Sequence, residues 1–160
     1  MRLAAAFLRG EPHAMGRPRG RAMFPKDGGR AFVQIYSDPE DEQATASAAR
    51  VLRTVPGPFP IVDPVELRVR FVLPMRQGDI RVRTRVPEKW DPTRPDLDNL
   101  LKLLLDAATM AGWWKDDALV VRIVAEKTTA AEGEESGTHL VLETVAPLTG
   151  GPAQGTLLPR

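Results

Sequence analysis

"RPDLDNLLKLLLDAATMAGWWKDDALVV", residues 94–121, decides how this chain is read. Its middle is a helix-length run of leucine and alanine, and its two ends hold Asp96, Asp98, Asp116 and Asp117. Leu100, Leu101, Leu103, Leu104, Leu105, Ala107, Ala108 and Met110 make the run apolar over most of its circumference, which predicts a helix buried on several sides. The spacing starts that helix near Asp98, a good N-cap, and ends it near Ala111, with Gly112 as the left-handed closing residue. Carboxylates that converge raise each other's pKa and cost energy unless a cation sits among them. The question is which cation, and for what.

Outward from this helix, the pattern predicts strands at 3–8, 31–36, 65–73, 118–127 and 138–145. In "VELRVRFVL", Val65, Leu67, Val69 and Phe71 share one face while Glu66, Arg68 and Arg70 take the other. "SDPEDEQATASAARVLRT" (37–54) reads as a second helix. Asp38 or Ser37 is its N-cap, Pro39 sits in its first turn, and Arg50 and Arg53 lie near its end. "GRPRGRAMFPKDGGR" (16–30) reads as a loop with a hairpin near "DGG". Residues 74–95 form a long, polar, Arg-rich segment in which "IRVRTRV" has the composition of a short strand. The expected fold is one mixed α/β (α+β) domain over 1–145, with a mixed sheet and two main helices, followed by a flexible Gly/Pro-rich tail at 146–160.

At 160 residues the chain has room for a single core. It has no cysteine, which excludes disulfides, thiol nucleophiles and zinc–thiolate sites. No apolar run approaches the roughly 20 residues of a membrane span. The opening "MRLAAAFL" is thin for a secretory signal and reads as a first strand; a cytoplasmic protein with no membrane partner is expected. The net charge of +1 conceals a basic opening segment: residues 1–37 carry seven basic side chains against two acidic ones. Arg17, Arg19, Arg21, Lys26 and Arg30 in that segment are candidate phosphate contacts, and a solvated basic loop is the plainer alternative. "SDPEDE" at 37–42 follows as an acidic patch.

The carboxylates admit two readings. Asp96 and Asp98 are two apart in a stretch made extended by Pro95, so they share a side. Lys102 lies one turn beyond Asp98 and leans back towards it, and Asp106 continues the stripe. A helix of about 14 residues rises about 21 Å. "AGWWKDD" must therefore fold back to the helix's first turn, or Asp117 must come from a partner subunit, for the acids to meet. If they meet, the all-oxygen set suits Mg²⁺ or Mn²⁺ and phosphodiester hydrolysis, with Lys102 facing the developing oxyanion. Otherwise Asp98 is only a cap, Lys102 and Asp106 are an i,i+4 pair, and Asp116–Asp117 is a solvated turn.

"PDLDNLLKLLLDA", "AGWWKDD" and "VVRIVAEK" together resemble the core motif of the RusA family of Holliday junction resolvases: D-x-D-N-x-x-K, then D-A, then G and a D-D pair, then a strand ending in lysine, here Lys127. "GEPHAMGRPR" resembles the family's opening strand and Arg-bearing loop. Motif-grade similarity covers 94–127, looser similarity covers 7–37 and 65–73, and the tail is outside it. The resemblance implies Asp96, Asp98 and Asp117 as metal-binding carboxylates and Lys102 as the catalytic cation. Asn99, Asp106 and Asp116 are secondary candidates. It also implies a Mg²⁺-dependent homodimer making paired, symmetric nicks in four-way junction DNA during recombination and repair. Only one of Asp116 and Asp117 is expected in the site, because adjacent strand residues face opposite ways. The long 74–95 segment and the acidic patch depart from the pattern. A catalytically inactive junction-binding protein of phage origin, and a carboxylate–metal hydrolase of small phosphates, are the alternatives. Trp113 and Trp114 are either base-stacking platforms or core and interface residues. His13 and His139 read as surface or strand residues.

Overall fold

The computed structural model describes residues 1–16, 19–25, 29–36, 38–76, 78 and 87–145. Its centre is a strand–helix–strand unit: β4 (Val65–Leu73), α2 (Leu97–Ala111) and β6 (Val120–Thr129). β4 and β6 are parallel neighbours. Parallel strands cannot be joined by a tight turn, so the connection must travel back along the sheet. α2 is that return. It starts beside the C-terminal end of β6, where Lys127 Nζ reaches Pro95 O at 2.5 Å. It ends beside the N-terminal end of β4, where Trp114 bridges to Ile61.

Around this unit the sheet runs β1-β7-β4-β6-β5. β1 (Arg2–Arg9) and β7 (Gly137–Thr144) are antiparallel to each other, β7 is antiparallel to β4, and β5 is only Lys89–Trp90. In β4, Val65, Leu67, Val69 and Phe71 are buried under the helices as expected, but on the other face Glu66 and Val72 are buried as well and only Arg68 is fully exposed, so the strand is more than half-buried. α1 (Pro39–Leu52) lies beside α2, with Ala49 and Leu52 fully enclosed. Asp38 is its N-cap, accepting from Glu40 N at 3.1 Å, and Glu40, Asp41 and Glu42 in its first turn complement the helix dipole. On α2, Leu100, Leu103, Leu104, Ala107 and Ala108 are buried, the i, i+3, i+4, i+7, i+8 stripe of an amphipathic helix. Leu97, Leu101 and Leu105 are partly buried against the same core, while Asp98, Lys102 and Met110 are exposed. Gly112 closes the helix at φ 84°, as expected.

Both tryptophans are core. Trp113 and Trp114 are 1% and 2% exposed. Trp113 stacks on Phe59 at 4.7 Å and donates Nε1–H to Leu52 O at 3.0 Å. Trp114 donates to Thr109 Oγ1 at 2.8 Å. With ring and donor both engaged, neither is available to stack on a base.

Three expectations are corrected. The first residue of α2 is Leu97 and its N-cap is Asp96, not Asp98. The extended backbone of Asp96 (ψ 143°) follows Pro95, and Asp98 already lies in the first turn. The 16–30 stretch is less loop than expected: the hairpin about "DGG" is present, with Arg19–Met23 as strand β2, antiparallel to β3 (Phe32–Tyr36) in a separate two-stranded ribbon. Asp116 and Asp117 do not open a strand. Asp116 accepts from Ala118 N at 2.8 Å and caps a 3-10 turn, Asp117–Leu119, so β6 begins at Val120. The possible strand at 80–86 and the tail at 146–160 lie outside the described residues. Among the described residues, no helix is long and apolar enough to cross a membrane.

Candidate active site at the two poles of one helix

The crossover places the acidic groups. Because α2 runs against the strands, Asp96, Asp98 and Lys102 stand at one pole, by the C-terminal end of β6. Asp106, Asp116 and Asp117 stand towards the other, where β6 begins. Asp98 and Asp106 are eight helical residues apart, about 12 Å along the axis. The connector does not fold back to the helix's first turn. Among the described residues, no three acidic or histidine side chains stand close enough to hold a metal ion.

At the first pole, Asp96 occupies the N-cap position yet its carboxylate makes no capping hydrogen bond. Asp98 and Lys102 are exposed, one turn apart. None of these three side chains hydrogen-bonds or ion-pairs with the described residues, and the same holds for exposed Asp117. Asp106 is likewise without a hydrogen bond or ion pair among the described residues, whereas other acids are committed. Asp116 is engaged by Ala118 N. Asp41 accepts from Gly16 N and pairs with His13 Nε2, each at 2.8 Å. Asp91 is buried among donors. Asp96, Asp98 and Asp117 are a hard, oxygen-only set of the type that binds Mg²⁺ or Mn²⁺, so the residues present fit such an ion in kind. One chain supplies two of them at one pole and the third at the other.

At the second pole, Asp106 is half-buried. Burial raises its pKa above the ordinary carboxylate value, the charge of Lys102 opposes this, and the charge of Asp117 adds to it. The charge of Asp117 is thus felt at Asp106. Lys102 acts on Asp106 through space, and no ion pair between them is found. Of the Asp116–Asp117 pair, Asp116 is committed to the turn cap, and Asp117 has no hydrogen bond or ion pair with the described residues.

The segment entering the first pole is held by residues that the motif reading passed over. The carboxylate of Asp91, 2% exposed, accepts from Thr93 N at 2.9 Å, Thr93 Oγ1 at 2.6 Å, Arg76 Nη2 at 2.6 Å and Thr129 Oγ1 at 2.9 Å. Burial alone would raise its pKa; the hydrogen bonds from Thr93, Thr129 and Arg76 outweigh it and hold the group well below the usual carboxylate range. "DPT" carried the local signal, since an aspartate commonly bonds the backbone two residues on. The bonds from Arg76 and Thr129 had none.

The basic ribbon starts beside the same pole. Met15 N donates to Asn99 O at 3.1 Å, and Asp41 holds Gly16, where a Cβ would meet its Oδ2 at 3.1 Å. Arg21, on β2, and Arg30, just before β3, are exposed. Arg19 is on β2, and Arg17 and Lys26 lie outside the described residues. His13 is committed to Asp41, and His139 stacks on Phe7 at 4.3 Å.

A family model described as "Endodeoxyribonuclease RusA" matches residues 10–137. A protein of Escherichia coli named "Crossover junction endodeoxyribonuclease RusA" is 36% identical over 116 residues, 72% of this chain and 80% of that protein. Proteins of the same name are 36% identical over 73 residues in Shigella sonnei (46% of this chain, 56% of that protein) and 37% identical over 67 residues in Enterobacteria phage 82 (42% and 51%). With the family model spanning most of the chain and the D-x-D-N-x-x-K helix at its centre, this chain belongs to the RusA endodeoxyribonuclease family.

Proposed function

We propose that this protein is a divalent-metal-dependent endodeoxyribonuclease that resolves four-way DNA junctions by paired nicks. It works as a homodimer in which Asp96 and Asp98 of one protomer meet Asp117 of the partner subunit. The observation that carries this reading is the split of three uncommitted aspartates between the poles of α2, in a chain whose relatives are named crossover junction endodeoxyribonucleases. A two-fold pair presents each pole to the other's complement, and matches a substrate with two equivalent scissile strands. β6 offers an edge for such pairing. Among the described residues, β5 covers it only at Thr128–Thr129, and Val121, Ile123 and Val124 are exposed beside Asp117.

In the assembled site Asp96, Asp98 and Asp117 would hold the ion, Mg²⁺ or Mn²⁺. When bound, that ion supplies Lewis-acid stabilisation of charge on the scissile phosphate. Lys102, one turn behind Asp98, places a fixed cation towards the same phosphate, where developing negative charge is offset. Arg21 and Arg30, with Arg17, Arg19 and Lys26, contact flanking phosphates and fix the register of the DNA.

The test is nicking of a synthetic four-way junction in Mg²⁺. Asp98→Asn lowers nicking more than about a hundredfold, a loss at or beyond that of a second-layer change, with junction affinity retained. Equal loss of binding and nicking counts against a catalytic role. Mixing Asp98→Asn with Asp117→Asn protein regenerates one complete site per mixed dimer, so nicking returns. If the mixture stays inactive although mixed dimers form, the shared site is wrong. Junction binding without cleavage by the wild-type chain in any divalent ion would instead favour a non-catalytic binding protein.

A further inference from the structure

The lysine that closes the motif has no part in the site as described. Lys127 sits near the end of β6, half-buried. Its Nζ donates to Thr93 O, and to Pro95 O at 2.5 Å. Its own carbonyl accepts from Asp91 N at 3.1 Å. Two residues along the strand, Thr129 Oγ1 donates to the Asp91 carboxylate. Residues 91, 93 and 95 are thus each tied to β6 or to one another. Asp91 ties in Arg76, at the end of β4, as well.

Asp96 is the next residue. Its carboxylate makes no hydrogen bond with the described residues, so among them the backbone leading to it sets where its oxygens lie. We infer that Lys127 and Asp91 are positioning residues: they clamp the 91–95 segment to the ends of β4 and β6 and thereby aim the Asp96 carboxylate. The Lys127 ammonium is directed at peptide carbonyls and does not serve as a phosphate contact. This inference rests on the metal-binding reading of Asp96.

Mn²⁺ binding to the full-length protein with a junction bound, followed by electron paramagnetic resonance, tests it independently of turnover. Asp96→Asn is the control and weakens Mn²⁺ binding. Lys127→Met weakens it about tenfold, the effect typical of groups that orient a ligand. Lys127→Arg restores part of the affinity. Metal-free junction affinity stays within about twofold, and raising Mg²⁺ recovers single-turnover nicking by the Lys127→Met protein. Thr93→Val, an exposed change that removes a donor to Asp91, weakens Mn²⁺ in the same direction and keeps the inference testable if Lys127→Met does not fold. Unchanged Mn²⁺ affinity in Lys127→Met and Thr93→Val, beside a weakened Asp96→Asn, overturns the positioning role alone. Loss of junction affinity with Mn²⁺ affinity intact makes Lys127 a phosphate contact and also overturns it. Unchanged Mn²⁺ affinity in Asp96→Asn removes the metal reading, and the inference with it.

Discussion

The two poles of α2 are built by opposite means. The upper pole, leading into Asp96, is a polar clamp in which a buried carboxylate, a guanidinium, two hydroxyls and a lysine satisfy one another around five residues of irregular chain. The lower pole, leading out to Asp117, is an apolar plug: Gly112 reverses the chain, and Trp113 and Trp114 bury themselves against Phe59, Leu52 and Thr109. Asp96, Asp98 and Asp117, beyond these poles, have no hydrogen-bond or ion-pair partner among the described residues. A polar clamp fixes direction, because each hydrogen bond is lost within a few tenths of an ångström or a modest rotation. An apolar plug fixes position through contact area and tolerates small rotations. The clamp therefore suits the pole that supplies two carboxylates, and the plug suits the pole that presents one.

Trp113→Ala is the sharpest way to break that comparison. Emptying a fully buried tryptophan site costs about 3–5 kcal/mol, measured as the shift in urea midpoint. A loss below about 1 kcal/mol would mean that the plug does not hold the lower pole. Asp91→Asn is the smaller, directional counterpart. Removing the charge and one acceptor from a satisfied buried group costs about 1–3 kcal/mol at neutral pH. The sign with pH follows from the lowered folded pKa. The ionised group stabilises the fold above its ordinary value of 3.8, and this stability is lost as pH falls below it. Wild type should lose stability on acidification, and Asp91→Asn should lose less; parallel pH curves would show that the clamp is not electrostatic. Asp106→Asn is the mildest. Its folded pKa is raised, so the charged carboxylate opposes folding at neutral pH. The metal-free variant should melt slightly higher than wild type near pH 7 and no higher near pH 3, where both are uncharged. A lower melting temperature at pH 7 would show that Asp106 is held by a favourable partner.

Much of this was legible in the sequence because it is local. The Asp38 cap with Pro39, the Gly112 stop, the helix-facing residues of β4 and the apolar stripe of α2 each depend on residues within a turn or two. The one-position ambiguity in the cap of α2 was local too: Asp96 and Asp98 both suit an N-cap, and Pro95 holds the chain extended through the first of them. The bounds of the Arg19–Met23 strand were not legible, because "RGRAM" has neither alternation nor β-branched residues; only the turn residues of "DGG" pointed to its pairing with β3.

The amino-acid order by itself determined that a leucine-rich helix joins two strands, and that acids flank it at both ends. It carried the motif of the RusA family as well. Only the tertiary structure decided that those acids stand apart. A parallel pair of strands requires its connecting helix to run the whole way back, and this separates Asp96 and Asp98 from Asp117 by more than half the helix. Tertiary structure alone also brought Asp91, Arg76, Thr129 and Lys127 together, since hydrogen bonds between residues up to 38 positions apart leave no trace in local spacing.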